Sequence, residues 1–248
     1  MALTPCVAEA ATPGTALSSS LSDVKQRNYA QQTQHNFGDV RVYTEGVDFS
    51  RPVGAVIRLH GDGAYEYHNP GYLLEGLAAV AAAENKILIA PLTPDSATTT
   101  WWKNSASNAD WLAELLEQQI LPEYGIDRSD IWWMGYSGGA ELLAHELILS
   151  EPQLVSGGAL MLGGGGRPWG ADPAAIAAAA EQVGPLTWVS GTADDGTDPQ
   201  APFNAYGAAQ EGAAWYRAQG FGAVEESYPQ GVDHFGLNST AILQAALD

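Results

Sequence analysis

The chain has 248 residues, 46% of them hydrophobic, with 8 Trp, 10 Tyr and 5 Phe. So much aromatic surface excludes a wholly disordered chain, and the length suffices for one large domain with a substantial core. A formal net charge of −19 argues against nucleic acid or an anionic membrane as the main partner, and it disfavours a strongly anionic substrate.

In chain order, residues 1–24 read as a flexible leader rich in Ala, Ser, Thr and Pro, followed by a single domain over 25–248. The leader has neither a basic start nor an apolar stretch, so it is not a signal peptide as written. Low lysine, abundant alanine and strong acidity suit a secreted or cell-envelope protein and are compatible with a cytosolic one. Pro5 argues against lipid attachment at Cys6. With Cys6 the only cysteine, an internal disulfide and a cysteine-based metal site are excluded.

Past the leader, strand and helix signals alternate. Arg27–His35 and Asp39–Glu45 read as a strand pair turned at Asn36-Phe37-Gly38. Val53–Leu59 and Lys86–Pro91 are short apolar runs of the kind found in buried parallel strands. Between them, Tyr72–Ala83 has helical spacing. The spacing predicts a helix over Asp110–Tyr124, with Asn108 as N-cap. The stretch Thr93–Ser107 has no period, and a loop of that length is often functional.

Asp130–Met134 is a third buried strand that breaks at Gly135, with a helix over Glu141–Ser150 behind it. Strands over Gly157–Leu162, Leu186–Ser190 and Val224–Tyr228 then alternate with helices over Pro173–Val183, Asn204–Gln219 and Ser239–Leu247. This order implies an α/β fold, a mainly parallel twisted sheet with helices on both faces, in one domain. Apolar runs such as Ala174–Ala180 are far short of the roughly 18 residues a membrane span needs.

Gly135-Tyr136-Ser137-Gly138-Gly139 matches G-x-S-x-G, placed between a buried strand and a helix. A serine there occupies a strained turn that pushes its Oγ out of the sheet. Serine is a weak nucleophile at neutral pH and needs a general base. Of His35, His60, His68, His145 and His234, the last lies between the final strand and the final helix. His145 sits two turns into the helix after the serine and is expected to point away. His35 and His68 read as loop or surface residues. An acidic cluster, Asp194, Asp195 and Asp198, follows the strand ending at Ser190, with Asp172 more remote. A carboxylate among these could fix the histidine tautomer. Glu141 reads as a partner of the helix dipole rather than a catalyst.

On these motifs the chain resembles the α/β-hydrolase family from about residue 39 onward. It looks closest to small lidless serine esterases of the dienelactone-hydrolase, carboxylesterase and polyester-depolymerase type. The resemblance implies a triad of Ser137, Asp194 and His234, with Asp195 the main competitor for the acid. It implies an oxyanion hole from the backbone amides of Gly138 and Asp62, the latter in His60-Gly61-Asp62-Gly63. Aspartate is a departure there, since its carboxylate would repel an oxyanion unless it turned to solvent or to a partner.

The carboxyl ends of the strands, where open α/β sheets bind ligands, point to Gly63, Tyr136, Trp101, Trp102 and Trp169 as substrate contacts. Trp132 and Trp133 read as core. The expected substrate is a small-molecule or polymeric ester, short-chain or aromatic, in an open site without a large cap. No cofactor or metal is indicated. Gly163–Gly166 lacks the G-K-[ST] ending of a phosphate loop and reads as a mobile loop beside the site. Peptidase or acyltransferase chemistry would use the same triad, and a non-catalytic binding module would keep only the fold.

Overall fold

In the computed structural model, residues 24–30 and 37–248 are described, with side chains from residue 39. All but the last residue of the expected leader, together with Cys6 and His35, lies outside the described residues. Val24, placed in the leader, opens the first strand.

The strands are β1 (Val24–Ala30), β2 (Phe37–Tyr43), β3 (Val53–Leu59), β4 (Lys86–Pro91), β5 (Ile126–Tyr136), β6 (Gly158–Leu162), β7 (Leu186–Val189) and β8 (Val224–Ser227). They form one sheet in the order β1-β2-β4-β3-β5-β6-β7-β8. Among the described strands, only β1 against β2 and β2 against β4 are antiparallel. The first hairpin differs from expectation. Ala30 pairs with Phe37, so Phe37 and Gly38 belong to β2 rather than to the turn.

The helices are α1 (Tyr65–His68), α2 (Gly71–Ala83), α3 (Ser105–Leu115), α4 (Leu121–Tyr124), α5 (Gly138–Leu142), α6 (Ile148–Ser150), α7 (Pro173–Gln182), α8 (Ala205–Ala218) and α9 (Ser239–Leu247). Wide π-type turns at Leu116–Ile120 and Leu143–Leu147 join α3 to α4 and α5 to α6. Asn108 is not a cap. The helix begins earlier, at Ser105, and the buried Asn108 amide donates to the Trp101 carbonyl at 2.7 Å. Asp172, Asn204 and Asn238 do cap, each accepting from an amide in the first turn of α7, α8 or α9.

The central strands are buried on both faces, which is why their sequences are apolar without alternating. Ala55, Ile57 and Leu59 of β3 point into the core layer that holds Leu112, Leu142, Ala213 and Tyr216. Val56 points the other way, onto Leu74 and Leu77 of α2 and Leu243 of α9. The period of two thus assigns each strand residue to one of two helix layers. Among the described residues no cap domain interrupts this pattern, and no helix is long and apolar enough to cross a membrane.

Candidate active site

The β5–α5 turn carries Ser137 with φ 51° and ψ −118°, a conformation that non-glycine residues rarely adopt. The flanking glycines make the turn sterically possible. A Cβ on Gly135 would lie 2.5 Å from the Gly139 carbonyl oxygen, and one on Gly139 would lie 2.8 Å from the Leu59 Cβ. The Ser137 amide donates to the Leu162 carbonyl at 2.8 Å, which ties the turn to β6.

Three of the expected residues meet here. His234 Nε2 lies 3.1 Å from Ser137 Oγ, and its Nδ1 lies 2.8 Å from Asp194 Oδ2. Asp194 is 2% exposed, and an ionised carboxylate can only accept hydrogen bonds. Nδ1 therefore carries the hydrogen and Nε2 turns its lone pair to the serine. The competing acids are occupied elsewhere. Asp195 is exposed and accepts from the Thr197 amide and hydroxyl, which lower its pKa. Asp198 accepts from the Gln200 amide, and Asp172 caps α7.

Tyr136 and Gly63, expected at the substrate, have other neighbours. The Tyr136 hydroxyl donates to the His234 carbonyl at 3.0 Å, and the two rings are 5.0 Å apart. Tyr136 thus holds the histidine loop from below. Burial pushes its hydroxyl pKa well above the ordinary value. The Gly63 amide donates to the Thr99 carbonyl at 3.0 Å and bends the loop rather than lining the cleft.

Trp101 is a clear correction. It is fully buried in the core and packs 5.0 Å from the His60 ring. His60 is itself buried. Its Nε2 accepts from the Thr93 amide at 3.1 Å, so Nδ1 donates to the Gly61 carbonyl at 2.7 Å. Burial lowers its pKa to about 4. A neutral His60 therefore pins the Asp62 loop to the segment after β4.

A cavity of about 210 Å³ opens over the serine, lined by Asp62, Trp102, Ser137, Gly138, Glu141, His145, Trp169 and Phe203. Trp102 and Trp169 were expected there. His145, expected to point away, lines it too and stacks 4.2 Å from the exposed Trp169 ring. It lies four residues after Glu141, so the two share the helix face that meets the cavity. Glu141, read from sequence as a dipole partner, accepts from the Gly165 and Gly166 amides at 2.7 and 3.2 Å, and from His145 Nε2 at 2.9 Å. It holds the glycine loop against α5. An acid with a histidine four residues later on one helix face could have hinted at this pair, but its loop partner could not be read.

The Asp62 carboxylate has turned to a partner. Its Oδ2 accepts from Trp102 Nε1 at 3.0 Å, so it has the partner foreseen. Yet its Oδ1 lies 2.1 Å from the point that a Gly138 Cβ would occupy. The carboxylate therefore stands over the first residue of α5, and burial raises its pKa.

No family model and no curated protein matches this sequence. Many solved structures share its fold. A thermostable esterase superposes with a TM-score of 0.65 at 16% identity over 92% of this chain, which spans 61% of that esterase's length. A carboxylesterase from Mesorhizobium loti gives 0.63 at 18% identity, covering 85% of this chain and 94% of that one. A serine hydrolase without a lid from Xanthomonas campestris gives 0.54 at 14% identity, covering 91% and 92%. The chain has the α/β-hydrolase fold.

Proposed function

We propose that this protein is a serine hydrolase that cleaves carboxylic esters through an acyl-enzyme. The observation that carries the reading is the contact chain Ser137–His234–Asp194, on a strained turn at the floor of a cavity. His234 takes the hydroxyl proton as Ser137 attacks the ester carbonyl, and Asp194 stabilises the imidazolium that forms. His234 then returns the proton to the departing alcohol. In the second half-reaction it activates water against the acyl-enzyme.

The tetrahedral intermediates need preorganised donors. Gly138 is the first residue of α5, where an amide has no acceptor within the helix. Its N–H and that of Asp62 are the donors in this reading. Trp102, Trp169 and Phe203 supply apolar walls suited to a short or aromatic acyl group. The likeness to esterases of known structure agrees with ester substrates.

A fluorophosphonate probe should label Ser137, with the site located by mass spectrometry, and Ser137→Ala should be inert on chromogenic esters. An unlabelled protein without ester turnover would leave a binding module on the same fold. Peptides or acyl acceptors turned over in preference to esters would move the reading to a peptidase or an acyltransferase.

A further inference from the structure

The polar lining of the cavity is unbalanced. Apart from Ser137 and the Gly138 amide, its polar side chains are Asp62, Glu141 and His145. Glu141 is committed to two amides and to His145 Nε2. His145 Nε2 donates to that carboxylate, and Nδ1 is the ring's other nitrogen. That atom has no hydrogen-bond partner among the described residues, although the side chain is only 6% exposed. Asp62 spends Oδ2 on Trp102 and leaves Oδ1 over Gly138.

Among the described residues, no lysine or arginine lines the cavity. Two cations lie close by, and the charge of one, Lys103, already acts on Asp62 from the far side of Trp102. Lys103 Nζ lies 5.6 Å over the Trp102 ring, and Arg167 pairs with Glu211 at 2.6 Å. The cavity thus offers a carboxylate oxygen and the faces of Trp102, Trp169 and Phe203, in a protein of net charge −19. Aromatic faces and an uncommitted carboxylate together complement a cation.

We infer that the cavity selects esters bearing an ammonium group, with Asp62 as the charged anchor and Trp102, Trp169 and Phe203 as the walls. The inference rests on the ester-hydrolase reading and names its substrate class. It also accounts for an aspartate where an oxyanion forms. Alone, the carboxylate opposes the growing negative charge, whereas a substrate cation beside it offsets that repulsion. Asp62 is therefore a specificity residue whose effect appears in kcat as well as in KM.

The test compares matched esters that differ in one charge. On the acyl side these are 4-nitrophenyl 6-aminohexanoate and 4-nitrophenyl heptanoate. On the alcohol side they are butyrylthiocholine and 3,3-dimethylbutyl thiobutyrate. The cationic member of at least one pair should have a kcat/KM about tenfold higher, and the ratio should shrink in high salt. Asp62→Asn should bring the ratio to near one and Asp62→Glu should keep part of it. Trp169→Leu should lower it without any change of charge. Equal or lower rates for the cationic member in both pairs, or a ratio unchanged in Asp62→Asn, would overturn the inference while leaving the esterase reading intact. Failure to cleave all four esters, with Ser137 unlabelled, would remove both.

Discussion

A β-carbon on Gly191 would lie 1.9 Å from the carbonyl oxygen of Val232. The two loops that carry Asp194 and His234 are thus packed backbone to backbone. The contact is reinforced where the Ala193 amide donates to that same carbonyl at 3.0 Å, and where the Gly231 amide donates to Thr192 Oγ1 at 2.8 Å. The 2.8 Å contact between His234 Nδ1 and Asp194 depends on this close approach.

Gly191→Ala should therefore separate the loops. The expected outcome is a loss of kcat on the order of 100-fold or more, because small misplacements of reacting groups are costly. Stability should fall as well, since backbone must move. Ester kinetics with circular-dichroism melting would check both, and a variant with wild-type kcat would show that the loops tolerate the extra atom.

The acid assignment predicts an order of effects. Asp194→Asn should lower kcat by on the order of 10⁴, because the imidazole loses its tautomer and its counter-charge. Asp195→Asn should change kcat by less than about threefold, since that side chain faces solvent and bonds only within its own turn. Steady-state kinetics of the two variants decide the matter, and the reverse order would reassign the acid.

His60 predicts a pH-dependent stability. Its pKa, lowered by burial to about 4, lies below the value near 6.5 of an unfolded histidine. Above pH 6.5 the ring is neutral in both states and adds no slope. Between pH 6.5 and 4 the unfolded chain takes up a proton that the folded one refuses. Stability should therefore fall as pH drops through that window, by up to about 3 kcal/mol from this group. Histidine NMR should show one ring that stays neutral at pH 5. His60→Gln should flatten the corresponding part of a urea-denaturation series, and a His60 ring titrating near pH 6.5 would refute the assignment.

The adjacent tryptophans should separate by phenotype. Trp101→Leu removes a fully buried ring and should cost several kcal/mol, about the 3–5 seen for large core truncations. Trp102→Leu should leave the melting temperature nearly unchanged and alter KM, because that ring lines the cavity and holds Asp62. Thermal melts and Michaelis constants of both variants check this. Equal KM changes would place both rings at the substrate.

Much of the frame could be read without coordinates. The buried strands showed as short apolar runs, and the elbow showed as glycines around a serine between strand and helix. Both signals are local, because strand burial and a tight turn constrain neighbouring residues in a fixed pattern. The order of Ser137, Asp194 and His234 could also be read, through resemblance to a family. The choice among Asp194, Asp195 and Asp198 could not, because three carboxylates in one turn look alike until each one's hydrogen-bond donors are known.

What only the folded chain decided is the wall of the cavity. Trp101 and Trp102 are neighbours in a stretch without periodicity, so nothing local says which ring turns inward. His145 reaches the cavity beside Glu141, and Tyr136 supports the histidine from 98 positions away. The Asp62 carboxylate stands over Gly138 only because the loops after β3 and β5 lie side by side in a parallel pair. Sequence patterns carry the constraints of neighbours along the chain. Side-chain direction at the meeting of distant loops is set by packing, which appears only when the sheet brings those loops together.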